Sequence, residues 1–488
     1  MSSLRKFFIQ FSHFFTANIL SVLLGLITFP ILTRILTKEQ YGILGLVTTT
    51  MLISVAVAKA GLSEGIIRFY KEYSKIPEHL TVFSSTVLVR GVVLAFLTVL
   101  LYVALFPVIN QFLHIDKKYI ICFTIMGIYL FIRPLNIIVY NFLRVNDRTI
   151  FLNIIGLFEK IISIGLSLFL LLYVIHELYG FFIGVIIAEF AASIVLFYWF
   201  FTNYKITLEK TSRNLTVTLI KFGLPLLFSE LSFLLLSYAD RYLIVAYYGE
   251  ATLGLYSVGY NLAMYVANII MFALSYTIVP IYVEIYGKEG RKKTEEFLQR
   301  CMYYLLIAVI PICFGYLAVS KDLFITLASE KYAAAATFSP LILIGSLFLG
   351  LNSIFNAGLY LKKKTMTMLF IMVLAVIVNI TMNLILLPKY GVMGAAVSAL
   401  VTCIIGSILS ISLSYRYIVV RVDIKTVLYY LILSGIMFFV VKQLEISPVW
   451  MNLMIKIAVG CLIIGIGVLY REHEIVEKIK KIYKLKTA

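Results

Sequence analysis

The sequence predicts an all-α polytopic membrane protein of about 14 transmembrane helices. Three observations lead there. Hydrophobic residues make up 62% of the 488 and charged residues 14%, where a soluble domain carries about 25% charged residues. Mean hydropathy is +1.00. Apolar runs of about 18 residues or more recur along the whole chain, each long enough to cross a bilayer as a helix. Continuous runs also exclude a β-barrel, whose strands alternate in polarity.

The runs place spans at 7–32, 41–62, 80–106, 119–141, 150–174, 178–201, 222–247, 251–281, 300–320, 333–360, 366–387, 391–415, 426–444 and 450–470. Arg5 and Lys6 precede the first run and no small-residue cleavage site follows it, so it is read as a retained span. Lys and Arg alternate with these spans: 28 fall on the side of the N-terminus, 8 on the other and 6 within spans. The positive-inside rule then puts both termini in the cytoplasm of a multi-pass cell-membrane protein. The net charge of +18 is accounted for by topology and anionic headgroups rather than by nucleic-acid binding. The five cysteines lack CxxC spacing and the five histidines are scattered, so small core hydrophobes are expected and no metal or other cofactor.

A weak internal repeat divides the chain. Tyr41-Gly42-Ile43-Leu44 and Leu253-Gly254-Leu255-Tyr256 open corresponding helices with their glycines 212 apart; Tyr179-Gly180 and Tyr390-Gly391 do so at 211. Phe142 to Thr149 and Tyr360 to Thr365 follow corresponding helices, the threonines 216 apart. The expected organisation is two six-helix lobes, 1–205 and 214–418, then two further helices over 426–470 and a basic tail, 471–488. Six is even, so the lobes are parallel repeats, with a substrate path expected between them near mid-membrane.

Ionisable residues inside spans are costly, about 2.5–3.5 kcal/mol each at a helix centre, and usually face a cavity or a partner. By depth, Arg90 lies near the midplane, with Lys160 and Glu189 comparably deep. Arg133 and Glu230 lie in the inner halves of their helices, Asp240 and Arg241 in the outer half of theirs. Lys160 can pair with Glu189. Lys59 and Lys456, near the surfaces, are expected to snorkel. At the membrane edge Glu64 and Arg68 are spaced as an i,i+4 pair. Arg90, Arg133 and Lys160 together predict a mostly cationic first-lobe cavity. Arginine suits phosphate through its planar fork, so Arg90, Arg133, Lys160, Arg241 and Arg68 are candidates for binding a phosphate headgroup. Glu64, Glu189, Glu230 and Asp240 are candidates for counter-charge or ion coupling, to an H+ or Na+ gradient or to the membrane potential. Tyr238, Tyr242, Tyr256 and Tyr260 gather near the same helices; packing is the plainer reading, sugar stacking the functional one.

Four stretches resemble the Wzx-type oligosaccharide flippases, in the superfamily that includes multidrug and toxin extrusion carriers. They are Phe29 to Leu36 with Glu39 to Gly42; Gly61 to Tyr70, similar to the first cytoplasmic loop of that family; Gly223-Leu224-Pro225 with Ala239 to Tyr242 and Leu253 to Ser257; and Pro388 to Ala396. The resemblance implies a V-shaped, alternating-access carrier that moves a polyprenyl-pyrophosphate oligosaccharide to the outer leaflet. Membrane lipids and polysaccharide assembly proteins are its implied partners. A peptidoglycan-precursor flippase and a multidrug or cation antiporter are the readings nearest to it. No GxxxxGK[ST] loop is present, which speaks against an ATP-driven pump. Short outer loops with isolated acids speak against an enzyme.

Overall fold

The computed structural model describes residues 20 and 22–471, with the backbone alone at 271–277. Residues 7–19 of the first expected span, and the basic tail beyond Arg471, lie outside the described residues. The described chain is all α, without a strand. After α1 (Val22–Ile35) come α2 (Lys38–Lys59), α3 (Leu62–Tyr73), α4 (Pro77–Leu113), α5 (Lys117–Val145), α6 (Thr149–Phe169) and α7 (Leu178–Asn203). Then follow α8 (Arg213–Leu327), α9 (Ser339–Phe355), α10 (Ala357–Leu361), α11 (Thr365–Tyr390), α12 (Val392–Ser414), α13 (Ile424–Lys442) and α14 (Val449–Arg471). Among the described residues, twelve helical stretches are long and apolar enough to cross a membrane.

The differences from expectation have local causes. The spans expected at 222–247, 251–281 and 300–320 all lie within α8. Their separations survive as two left-handed glycines, Gly249 at φ 75° and Gly290 at φ 79°, a conformation that glycine adopts without steric cost. The loop expected at Gly61 to Tyr70 is instead mostly helix α3. Ala60 and Gly61 take left-handed φ and turn the chain. Leu62, Ile66 and Tyr70 then bury one face while Ile67 and Arg68 stay exposed, the pattern of an amphipathic interfacial helix. The start of α2 is fixed by a capping box, with Thr37 and Gln40 each accepting from the backbone of the other.

The described residues form two compact units. The first runs to Ser257 and takes in Val376–Gly391. Its core joins α3, α4, α5 and α7 around Phe83, Phe142 and Phe200. The Tyr70 and Tyr204 hydroxyls lie 2.9 Å apart there, and the Asn146 side chain bonds both. Within this unit α2 crosses α8 twice at backbone contact. The glycines that the repeat pairs, Gly42 and Gly254, meet in space: a Cβ at Gly254 would stand 1.8 Å from the Lys38 carbonyl oxygen. At the other end of α2, Gly61 rests on Gly223, where a Cβ on Gly61 would fall 2.4 Å from the Gly223 backbone.

The second unit holds Val258–Ala375 and the chain from Val392 onward. Here α9 packs on α12 with Gly345 against the Leu400 backbone, and Tyr316, Ser339 and the Gly259 carbonyl form a buried hydrogen-bonded chain. α14 is tied to α8 by Lys456, which does not snorkel: its ammonium meets Asp322 at 2.7 Å, with Lys456 buried at 8% exposure and Asp322 mostly covered at 14%. Asn452, one turn earlier, bonds the same carboxylate oxygen. Asp322→Ala is therefore expected to cost about 3–5 kcal/mol, because a buried ammonium loses its partner. Asp322→Leu with Lys456→Met should recover most of it. Thermal unfolding in detergent checks this; a single variant as stable as the parent contradicts it.

Candidate functional site

The first unit contains a pocket of about 350 Å³ walled by α2, α5, α7 and α8. Its charged lining is Lys59, Arg133 and Glu230, set among Tyr129, Phe181, Phe182 and apolar side chains. On α5 the polar residues Tyr129, Arg133, Asn136 and Tyr140 follow one another at helical spacing and so share one stripe. On α2, Thr48, Leu52, Val55 and Lys59 form the facing stripe in the same way.

Arg133 is clamped from two helices. Its Nη1 donates to Glu159 of α6 at 2.8 Å and to Glu189 of α7 at 2.9 Å. Glu189 is 2% exposed, Glu159 16% and Arg133 28%, so the guanidinium reaches the pocket and the carboxylates lie behind it. Asn136 donates to Glu189 Oε1 at 2.6 Å, and the Tyr140 hydroxyl to Glu159 Oε2 at 2.8 Å. Each carboxylate is thus held by a second donor on the same α5 stripe. Across the pocket Lys59 donates to both oxygens of Glu230, at 2.7 and 2.9 Å.

This arrangement changes three expectations. Lys59 does not snorkel; it is paired with a carboxylate 171 residues away in sequence. The cations at the pocket are compensated rather than free: Lys59 and Arg133 are held by three carboxylates, of which Glu230 lines the pocket and Glu159 and Glu189 lie behind it. Arg68 does not pair back with Glu64 but forward with Glu72, at 2.7 Å. Glu64 sits in the first turn of α3, where the helix dipole already favours a carboxylate.

The remaining candidates stand elsewhere in the same unit. Arg90, on α4, is not among the pocket residues, and its buried Nε has no hydrogen-bond partner among the described residues. Lys160 follows Glu159 on α6 and is partly buried; Glu189, expected beside it, is held by Arg133 and Asn136. Asp240 and Arg241 are each 4% exposed. Arg241 donates to the Gly45 carbonyl at 3.2 Å and to Thr49 Oγ1 at 3.0 Å, with its guanidinium 4.8 Å from the Tyr238 ring centre. The Tyr256 hydroxyl donates to Asp240, and Tyr242 meets Thr50 at 2.9 Å. These tyrosines therefore serve a buried polar crossing of α2 and α8. Sequence reading missed Glu159, Asn136, Tyr129 and Tyr140; the helical spacing of the last three with Arg133 is the signal that would have found them. Among the described residues no group of His, Cys, Asp and Glu could hold a metal ion.

Comparison with known proteins follows the same line. The model of the family described as polysaccharide biosynthesis protein matches residues 10–286, and that of the MatE family matches residues 225–385. The uncharacterized membrane protein MJ1068 of Methanocaldococcus jannaschii is 26% identical over 193 residues, which are 38% of this chain and 37% of that protein. The match thus spans about two fifths of that relative's length. A Haemophilus influenzae protein of the Lsg locus is 23% identical over 342 residues, 67% of this chain and 78% of the relative. Among solved structures, the lipid II flippase MurJ in an inward closed conformation superposes with a TM-score of 0.78 at 17% identity, over 95% of this chain and 99% of that one. An inward-facing multidrug resistance MATE family transporter of the MOP superfamily gives 0.66 at 13% identity, over 81% and 99%. At such identities the structural likeness is one of fold.

Proposed function

Because the chain belongs to the polysaccharide biosynthesis protein family, within the multidrug/oligosaccharidyl-lipid/polysaccharide exporter superfamily, we propose that it is a flippase for a polyprenyl-(pyro)phosphate-linked oligosaccharide. It would carry its cargo from the cytoplasmic to the outer leaflet of the cell membrane by alternating access. The observation that carries this reading is Arg133, anchored by two carboxylates and still open to a membrane-embedded pocket. A pyrophosphate competes for the same donors as a carboxylate, and the arginine fork offers it paired hydrogen bonds. In this reading the substrate takes Arg133 and Lys59 from their carboxylates. The released Glu159, Glu189 and Glu230 then take up protons or a cation, which couples transport to a gradient. Arg90, Lys160, Arg241 and Arg68 supply further positive charge along the path, and Glu64 and Asp240 further counter-charge. The six-helix lobes 1–205 and 214–418 and the cytoplasmic termini belong to the same proposal.

Counting the two carboxylates behind Arg133, three acids stand against two cations at and beneath the pocket, and this favours a second reading, a multidrug or cation antiporter of the same fold. Proteoliposomes separate the two. A labelled polyprenyl-pyrophosphate oligosaccharide is followed between leaflets with a membrane-impermeant probe. Protein-dependent movement is expected, with a loss of about tenfold or more in Arg90→Ala, the scale of one charge-assisted contact. Absence of movement together with gradient-driven uptake of an organic cation would replace the flippase reading with the antiporter. Normal movement in Arg90→Ala would remove that residue alone from the path.

A further inference from the structure

A second pocket, of about 400 Å³, lies in the second unit, where α8 meets the connection between α12 and α13. The connection is fastened to α8 at one residue: Val419 donates its N–H to Glu295 at 3.0 Å and accepts from Gln299 at 3.3 Å. This brings Arg421 of the connection and Arg300 of α8 to one pocket. Both are exposed, and neither has an ion pair or hydrogen bond among the described residues.

The carboxylates beside them are engaged elsewhere. Glu296 pairs with Lys293 at 2.9 Å. Asp423 caps α13, accepting from the Lys425 N–H at 3.1 Å and the Thr426 hydroxyl at 2.5 Å, with Arg471 at 3.9 Å. The Thr426 hydroxyl and the Lys425 and Thr426 N–H groups hold the Asp423 carboxyl below the usual carboxylate range. Arg300 lies close enough to act on the Glu296 carboxylate, but counting Lys293 and Arg471 against Glu296 and Asp423 leaves an excess of two arginines among the described residues. Like charges gathered without a counter-charge repel, and an anion between them removes that repulsion.

Position selects the kind of anion. Asp423 immediately precedes the apolar helix Ile424–Lys442, and Arg471, which bonds Thr426, ends the apolar helix Val449–Arg471. The pocket therefore opens at one surface of the membrane. Its remaining wall includes Tyr303 and Leu306, which suits the first carbons of an acyl chain rather than a free ion.

We propose that this pocket binds the phosphate headgroup of a resident anionic phospholipid, with Arg300 and Arg421 on the phosphate oxygens and Tyr303 and Leu306 against the glycerol end of the chains. The site shares no residue with the pocket in the first unit, so the proposal stands whether or not the chain is a flippase. The carrier pyrophosphate offers the same chemistry and is the competing source.

The test uses the full chain in phosphatidylcholine nanodiscs with increasing phosphatidylglycerol, and retained lipid is counted by native mass spectrometry. Each basic residue at a membrane surface strengthens binding of anionic lipid roughly fivefold. Arg300→Gln with Arg421→Gln should therefore weaken phosphatidylglycerol binding roughly thirtyfold, and the double lysine variant far less. Arg421→Gln alone, which loses no partner, should weaken it roughly fivefold and guards against a double variant that fails to fold. Unchanged phosphatidylglycerol binding in Arg421→Gln overturns the proposal. So does loss of undecaprenyl pyrophosphate binding alone, which would assign the site to the carrier.

Discussion

Replacement of Arg133 by alanine is expected to abolish transport and to destabilise the protein at once. The two effects have separate origins. Transport fails because the pocket loses the cation that reaches its surface. Stability falls because Glu159 and Glu189 lose their shared partner while remaining 16% and 2% exposed, and breaking a buried ion pair costs about 3–5 kcal/mol. Adding Glu159→Gln and Glu189→Gln to Arg133→Ala should restore most of the stability and none of the transport. Arg133→Lys should keep most of the stability and lose much of the activity, since an ammonium lacks the fork. The measurements are melting temperature and initial leaflet-exchange rate at matched reconstitution. Full transport by Arg133→Ala would take Arg133 out of the mechanism.

The second large effect is expected at the crossings of α2 and α8. Gly61→Ala must hold a left-handed residue at about 1–2 kcal/mol and also drive a methyl into the Gly223 backbone, 2.4 Å away. Overpacking adds about 1–3 kcal/mol or more. Gly254→Ala meets the Lys38 carbonyl at 1.8 Å and should be at least as damaging, although Gly254 lies in ordinary helix. Gly249→Ala is the internal comparison: its φ is 75°, but nothing lies within 4 Å of the added carbon. It should show the conformational cost alone. If Gly61→Ala melts within a degree or two of Gly249→Ala, backbone contact is not what holds α2 on α8.

The helices were legible because each run of apolar residues is a local property, and the starts expected at 41 and 80 fall just inside α2 and α4, which begin at Lys38 and Pro77. The path of α8 was less so. Gly249 and Gly290 look like ordinary loop glycines in the sequence, and only the backbone shows helix continuing on either side. Depth along a span picked out Arg133, Glu189 and Glu230, all of which meet a charged partner here. Depth says nothing about facing, however. Lys59 and Glu230 are 171 residues apart, and no spacing rule connects them. Glu159 adjoins Lys160 in sequence, but consecutive helical residues face different ways, which leaves Glu159 available to Arg133. Of the three cations expected in the cavity, on α4, α5 and α6, only Arg133 lines the pocket, and the carboxylates that balance it come from α6 and α7.

The buried pair of Lys456 and Asp322 bears on how the chain is made. Each residue alone adds to the cost of inserting its helix, by less than the roughly 2.5–3.5 kcal/mol of a helix centre, and they meet only after α14 has been synthesised. Until then the nascent chain carries Asp322 in a membrane segment without its cation. A chain truncated before Val449 lacks the cation that Asp322 meets in the folded protein. Chains ending before α14 are therefore expected to accumulate less well than the full chain, and Asp322→Leu should lessen that difference.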